Sequence, residues 1–341
     1  MLTKLIELKN FQCPSVFNDC RLFCFRMLFF FYGLYPSEED LIGIGEGLDL
    51  FLQNISTLRT KIFLPIGRTL NFEVEYGRKI GIGIHVNIFG AKNIDEDINL
   101  LKKKIDMGDP VVVNVDRFYL EYLSITKAHV GFHAVLVVGY DDEKRTLLLI
   151  DSLTGFQTVE LSYELFYKAA TSDCIISTNK MWYHIERQEC VPSRSLTSDV
   201  VVLSLKHTSE RILRESIKPT QRFIGSVKSA ISDDLNISKQ ANKFFEIQSN
   251  IFIATFNQQD RSKFFYRKIF LSFLEKNIEI FSKLYQKRLL NCSNRLLEAI
   301  QLVNDALTFD AAQCLAAIDA YVKNEQALHQ LVLQAIKYGR E

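Results

Sequence analysis

The sequence predicts an α+β fold for the first part of the chain and an α-helical domain after it. Up to about residue 190, helical segments alternate with short β-branched runs of the kind that form strands. The clearest strand candidates are Val111–Val115, Val135–Val138 and Leu147–Ile150. Beyond about residue 193 helical spacing prevails, apart from the strand-like run Val200–Leu203. We therefore predict two domains, 1–190 and 191–341, with five to seven helices in the second.

The composition is that of an ordinary soluble globular protein. Of 341 residues, 48% are hydrophobic and 24% charged, and the net charge of +1 gives no electrostatic footprint for nucleic acid or an anionic membrane. Seven cysteines without CxxC spacing predict neither a disulfide framework nor a zinc site. The most apolar stretch, Leu22–Tyr35, is too short to span a bilayer and contains Arg26. We expect a cytoplasmic protein with reduced thiols.

The first helix is predicted to begin at a cysteine. Asn18 or Asp19 is a good N-cap, so Cys20 falls in the first turn of a helix that runs to about Tyr32 and ends at Gly33. Unpaired N–H groups and the positive end of the helix dipole favour a thiolate there, and they can stabilise an oxyanion. The simpler alternative is that Cys20 is a small buried hydrophobe.

A histidine and an aspartate bracket the predicted hairpin. His133 opens the apolar run Ala134–Tyr140, and Asp151 closes the strand candidate that follows. The charged segment Asp141–Arg145 reads as the turn between them. Because the pair is symmetric about Asp142, we expect the two side chains to face each other across the hairpin.

Cys20, His133 and Asp151 together predict a thiol nucleophile with its base and an orienting acid. We expect the carboxylate to hold the imidazole Nδ1–H while Nε2 faces the thiol. Taken alone, His133 is more simply explained as a histidine at the end of a strand with its hydrogen bonds satisfied. Asp151 alone is more simply explained as a turn-forming residue. His129 is the competing base, but it lacks a strand-paired acid and is therefore predicted to be a pocket residue.

Several segments resemble the leader-peptide-cleaving cysteine peptidase domains of bacteriocin exporters. The start of those domains is similar to three features of this chain: Asp19–Cys20, Gly33 thirteen residues after the cysteine, and Ser37–Glu39. Their His and Asp segments are similar to His133–Asp142 and Ile150–Asp151. The resemblance implies a papain-like cysteine-protease fold with Cys20, His133 and Asp151 as the triad. The exporters also carry membrane spans and an ATPase, which this sequence lacks.

The chain is more similar still to the butirosin-biosynthesis acyltransferase family, whose members join a papain-like domain to a helical one. The matching stretches are Ser37–Leu48, Gly108–Val113 and Val115–Tyr122. The likeness covers roughly residues 12–170 and includes amide-forming enzymes of the closthioamide type. It implies transfer of an acyl group from a carrier-protein thioester to an amine, in natural-product biosynthesis.

Two positions depart from the related patterns. The exporter peptidases have an oxyanion-hole glutamine where this chain has Pro14, so Gln12 and Asn18 are the candidates for oxyanion support. The family often has a histidine where this chain has Asp19, and an anionic neighbour disfavours a thiolate unless it turns into the helix cap. Cys13 is a rival nucleophile, but its distance to Gly33 does not fit the pattern.

The predicted reaction has an acyl or peptidyl carrier protein as partner, with its phosphopantetheine arm as substrate and no tightly bound cofactor or metal. The acceptor is a small-molecule amine, for which Asp116, Tyr119, Tyr122 and His129 are the candidate contacts. The helical domain is predicted to form an acceptor wall, a docking surface or a homodimer interface. Two alternatives remain open: a cysteine peptidase or thioesterase with the same triad, and a non-enzymatic binding module.

Overall fold

A computed structural model describes residues 3–6, 19–54, 63–90, 93–123, 129, 133–155, 157–173, 179–186, 196–218, 221, 265–305 and 311–340. The strands are β1 Thr3–Leu5, β2 Leu48–Asn54, β3 Phe63–Arg68, β4 Ile84–Ile88, β5 Val111–Val115, β6 His133–Asp141, β7 Thr146–Ile150, β8 Thr158–Ser162 and β9 Met181–Ile185. The helices are α1 Cys20–Phe31, α2 Glu38–Ile44, α3 Phe72–Ile80, α4 Ile94–Met107, α5 Tyr163–Thr171, α6 Ser198–Arg211, α7 Phe265–Lys276, α8 Lys283–Asp305 and α9 Ala311–Tyr338.

Seven strands form one antiparallel sheet in the order β4-β9-β5-β6-β7-β8, with β1 also paired to β6. The central strand β6 is buried from His133 through Tyr140, which explains why its sequence is a continuous apolar run rather than an alternating one. The combination of helices with an antiparallel sheet confirms the predicted α+β class. The papain-like topology stays a prediction.

Helices cover both faces of this sheet. Tyr183 on β9 packs edge-on against Phe25 of α1, with ring centroids 5.3 Å apart. Its neighbour Trp182 lies beside Phe89, whose ring in turn meets Phe166 of α5. Because successive residues of a strand point to opposite faces, α1 and α5 lie on opposite sides of the sheet. The start of α1 is thereby held against the sheet.

The hairpin between β6 and β7 does not have the predicted register. Asp141 pairs with Thr146, and a bulge between Val137 and Gly139 shifts the ladder, so that Leu136 pairs with Ile150. Continuing that register places Asp151 opposite Val135, so the prediction that it faces His133 directly is wrong. The cause is the turn, because the Asp141–Thr146 pair centres the hairpin between Glu143 and Lys144 rather than at Asp142, and the bulge recovers only one residue of the difference. The bulge lies beside Gly139, where a β-carbon would lie 2.3 Å from the Lys4 carbonyl oxygen of β1. The bulge accommodates this close approach.

The structure separates into two compact units, Met1–Glu38 with Ile80–Arg194 and Glu39–Lys79 with Ser195–Glu341. The boundary near residue 194 lies close to the predicted one, whereas 39–79 group with the helical part rather than with the first domain. Buried polar contacts contribute to the grouping of 39–79 with the helical part. Arg267 of α7 is buried, pairs with Glu325 at 2.9 Å, and donates to the Asp49 carbonyl oxygen at 2.7 Å.

The second unit is largely helical. Its described residues include α6, α7, α8 and α9, with α8 and α9 packed on each other, and the two-stranded sheet β2–β3. The strand-like run Val200–Leu203 lies within α6, whose start is capped by the Thr197 hydroxyl accepting from the Val200 N–H. The predicted count of five to seven helices extends over residues 222–264, which are outside the described ranges.

Candidate active site

The helix that carries the cysteine begins as predicted. Asp19 is the N-cap of α1, and its carboxylate accepts a hydrogen bond from the Leu22 N–H at 2.8 Å. Cys20 is the first helical residue and is half-buried. The Asp19 carboxylate is thus committed to the cap, the arrangement under which an acid beside the nucleophile is tolerated. The helix ends at Phe31, and Gly33 takes the left-handed conformation with φ of 77°.

His133 and Asp151 meet in the interior. The His133 Nε2 atom lies 2.8 Å from Asp151 Oδ2, and only 4% of His133 and none of Asp151 is exposed. Although Asp151 is two residues out of register with His133, side chains that far apart across a hairpin can still reach each other diagonally. The contact between His133 and Asp151 was predicted correctly. The direct cross-strand pairing that was expected to produce it is not observed.

The two ring nitrogens of His133 have the reverse of the predicted partners. Nε2 faces Asp151, which leaves Nδ1 as the ring nitrogen for the hydrogen bond between His133 and the Cys20 side chain. The prediction that the carboxylate holds Nδ1–H is therefore wrong. A linear sequence does not determine the side-chain torsions that choose between the two ring edges.

The charged neighbours of His133 and Asp151 oppose the effect of burial. Burial acts to lower the pKa of His133, but the Cys20 side chain and the Asp151 carboxylate outweigh it and raise the pKa to about 10. For Asp151, burial acts upward, yet His133, the Leu153 N–H and Tyr122 bring its pKa below the ordinary value. Both shifts favour a protonated His133 beside an ionised Asp151.

Tyr122 lies inside this cluster. Its hydroxyl donates to Asp151 Oδ2 at 2.9 Å, while the Leu153 N–H donates to Oδ1 at 2.8 Å. Burial and the Asp151 charge raise the pKa of Tyr122, so it stays a neutral donor. Both carboxylate oxygens are therefore held in place. The role of Tyr122 as an acceptor contact stays a prediction; its support of Asp151 carries no signal in the sequence.

The other predicted pocket residues form a second cluster. His129 Nδ1 lies 2.8 Å from Asp116 Oδ2, which also accepts from the Ser172 hydroxyl at 2.7 Å. The His129 ring stacks on Phe118, with centroids 4.0 Å apart, and meets the edge of Tyr119. His129 has no strand-paired acid, as predicted, but it does have an acid partner, because Asp116 follows β5 directly and turns its buried side chain to it.

Two neighbours of Cys20 were not predicted as site residues. Arg21 is buried and donates to the Tyr183 hydroxyl at 2.8 Å and to Asn114 Oδ1 at 3.3 Å, which fixes the start of α1 on the sheet. Cys24 lies one turn on and is buried, and burial together with the Cys20 charge raises its pKa well above the ordinary value. An arginine in an apolar helix and a second cysteine at i+4 are signals that the sequence offers.

Some predicted residues lie outside the described ranges. These are Gln12 and Asn18, proposed for oxyanion support, and Cys13, the rival nucleophile. Within the described ranges, the start of α1 places the positive end of the helix dipole at Cys20, while the N–H groups of Leu22 and Phe23 in that turn donate to Asp19.

A half-buried cysteine at a helix start, linked to a buried histidine and aspartate, defines a candidate thiol enzyme on an α+β fold. Residues 19–152 match the family model for the N-terminal part of butirosin biosynthesis protein H. This segment carries Cys20, His133 and Asp151, and over it the predicted resemblance to the butirosin-type family is confirmed. The family is one of biosynthetic enzymes and is tied to antibiotic production. No curated protein matches the chain.

Within the described ranges, no helix combines the length and the apolar character that crossing a membrane requires.

Proposed function

We propose that the chain is a cysteine-dependent acyltransferase that moves an acyl group from a carrier-protein thioester to an amine and forms an amide. The observation that carries this proposal is the buried imidazole of His133, which contacts the Cys20 side chain and the Asp151 carboxylate at once. A nucleophile, a base and an orienting acid in that order are what a covalent acyl-enzyme mechanism requires.

In the first half-reaction the Cys20 thiolate attacks the thioester carbonyl of an acyl group carried on a phosphopantetheine arm. The positive end of the α1 helix dipole at Cys20 favours the oxyanion of the tetrahedral intermediate. The intermediate collapses by breaking the bond to the arm's sulfur. His133 gives its proton to that leaving thiolate, and the acyl group stays on Cys20 as a new thioester.

In the second half-reaction a neutral amine attacks the acyl-enzyme carbonyl. His133, now the base, takes the proton that the amine nitrogen loses, and the bond to Cys20 breaks as the amide forms. Asp151 stabilises the imidazolium, held by Tyr122 and the Leu153 N–H. The balance is one thioester and one amine consumed, with one amide and one free thiol produced.

Whether the product is an amide or a free acid depends on which nucleophile reaches the acyl-enzyme first. The proposal needs a site that positions the amine and excludes water. The cluster of Asp116 and His129 supports this requirement, because a buried carboxylate and a half-exposed imidazole can hold an ammonium group or accept its proton.

The test is to incubate the full chain with an acyl-carrier thioester, with and without an amine, and to quantify amide and free acid by mass spectrometry. We expect amide in the presence of amine and slow hydrolysis without it. Free acid alone, even with excess amine, identifies a thioesterase or peptidase instead. Undiminished activity in a folded Cys20→Ala variant identifies a binding module without covalent catalysis. Cys24→Ala, one helical turn away, is the matched control.

A further inference from the structure

A second group of ligand-type side chains lies at one edge of the large sheet. His85 on the edge strand β4 pairs in register with His184 on β9, and their rings stack with centroids 4.9 Å apart. Glu186 follows two residues after His184. One donor atom from each of the three residues lies within 4.8 Å of the other two. The group belongs to the first unit and is separate in sequence from the residues of the candidate active site.

The Nε2 atom of His184 is the observation that points to a ligand. His184 is only 3% exposed, and its Nε2 has no hydrogen-bond partner. The nearest acidic oxygen, Glu186 Oε1, is 3.8 Å away, which is too long for a hydrogen bond. Two atoms that ligate one ion at about 2.0–2.2 Å lie roughly 3–4 Å apart, so this separation suits a shared cation.

The other ring nitrogen of His184 faces a side chain of the neighbouring strand. Its Nδ1 lies 3.2 Å from Nδ2 of Asn87 on β4. Binding of a cation at Nε2 requires the Asn87 amide to turn its oxygen toward Nδ1, which then carries the proton and donates.

We propose that His85, His184 and Glu186 bind a divalent transition-metal cation of the Zn²⁺ type, through two imidazole nitrogens and one carboxylate oxygen. Nitrogen-rich ligand sets favour such ions over Mg²⁺ or Ca²⁺, and three protein ligands leave a fourth position for water. The ion ties the edge strand β4 to β9. No metal site was predicted from the sequence, where the spacing of the cysteines was the observation that bore on metals.

Lys104 competes for the same carboxylate. Its Nζ lies 3.1 Å from Glu186 Oε1, so a bound cation has to displace an ammonium group. Removing that ammonium group should therefore tighten metal binding, whereas removing a ligand should weaken it. These opposite effects distinguish a site built from this group from adventitious binding elsewhere on the surface.

The test uses the metal-stripped full chain in a Cys20→Ser background, because a thiolate beside an imidazole also binds zinc. Zn²⁺ affinity is measured by competition with a chromogenic chelator. We expect about one equivalent bound, with affinity at least roughly 100-fold weaker in His85→Ala and Glu186→Gln and tighter in Lys104→Met. His207→Ala is the control, since His207 pairs with Glu46 at 2.8 Å outside this group.

Two outcomes overturn the proposal. One is the absence of stoichiometric Zn²⁺ binding to the folded background protein. The other is equal affinity in the background protein, His85→Ala and Glu186→Gln. Thermal unfolding provides the second readout: Zn²⁺ should raise the Tm of the background protein and of His207→Ala, and leave the Tm of folded His85→Ala unchanged. Both ligand variants alter partly exposed side chains, so folding is retained and the comparison can be made.

Discussion

Two histidine–aspartate pairs in the same unit have nearly the same contact and very different surroundings. His133 and His129 each lie 2.8 Å from a carboxylate oxygen of a fully buried aspartate. His133 is 4% exposed and contacts Cys20 as well, whereas His129 is 47% exposed and stacks on Phe118. Distance to an acid therefore does not distinguish the two histidines, whereas burial and the contact with Cys20 do.

The comparison assigns the pairs to different halves of the proposed reaction. In the proposal, His133 contacts Cys20 and therefore acts in formation and breakdown of the acyl-enzyme. His129 is open to solvent beside a carboxylate, and the proposal therefore places it with the acceptor. The predictions below test that division, beginning with the largest expected effect.

Replacing each histidine by alanine should give different kinetic signatures. His133→Ala should slow acylation of Cys20 by about 10²–10⁴-fold, because it removes general acid–base catalysis. His129→Ala should leave acylation within about threefold of the parent and lower the yield of amide relative to free acid. Rapid-quench mass spectrometry measures both steps. Equal slowing of acylation in the two variants would break the comparison.

Replacing each aspartate by asparagine should also separate the pairs. Asp151→Asn should cost about 10²–10⁴-fold in kcat, because the imidazolium loses its stabilising carboxylate and its fixed orientation. Asp116→Asn should lower stability by about 1–3 kcal/mol and, like His129→Ala, lower the yield of amide rather than the rate of acylation, because the contacts to His129 and Ser172 lose an ionised acceptor. Steady-state kinetics and chemical denaturation measure the two effects. A larger kcat loss in Asp116→Asn contradicts the assignment.

The pH dependence follows from the raised pKa of His133. Because its folded pKa of about 10 exceeds the unfolded value of 6.5, the stabilisation is fully present below pH 6.5 and is lost as pH rises through about 10. The parent should therefore lose more unfolding free energy between pH 7 and 10 than Cys20→Ala, which lacks one of the two anions. Denaturation at a series of pH values measures this. Parallel pH profiles would exclude an imidazolium held by Cys20.

The smallest expected effect concerns the tyrosine that supports Asp151. Tyr122→Phe removes one hydrogen bond of 2.9 Å and should lower kcat about 5-fold, equivalent to about 1 kcal/mol. The pKa of His133, followed by NMR, should move as well, which a purely structural role would not produce. Tyr119→Phe, altering the ring beside His129, is the matched control and should leave that pKa in place.

The sequence was sufficient where local rules determine structure. The cap at Asp19, the helix start at Cys20 and the left-handed Gly33 follow from short-range backbone chemistry, and each is observed. The strands β5, β6 and β7 follow from their apolar runs, which a sheet covered on both faces requires. The proximity of His133 and Asp151 was also predicted, because a hairpin confines its two ends to a small region.

What was missed depends on contacts between distant segments. The β6–β7 register is set by a turn centred between Glu143 and Lys144 and by a bulge beside Gly139, whose close neighbour, Lys4, is far away in the sequence. The Asp116 partner of His129 and the packing of 39–79 with the helical part arise in the same way. The run Val200–Leu203 became helical because its cap and tertiary packing outweigh β-propensity.

The most direct test of the central claim is to detect the covalent intermediate. The parent is mixed with an acyl thioester in the absence of amine, quenched in acid, and examined by intact-mass and peptide mass spectrometry. We predict one acyl group per chain, located on Cys20, formed in Cys24→Ala at the parent rate and strongly slowed in His133→Ala. An unmodified Cys20 in a parent that still turns over thioester, or acylation of another cysteine, would contradict the proposal.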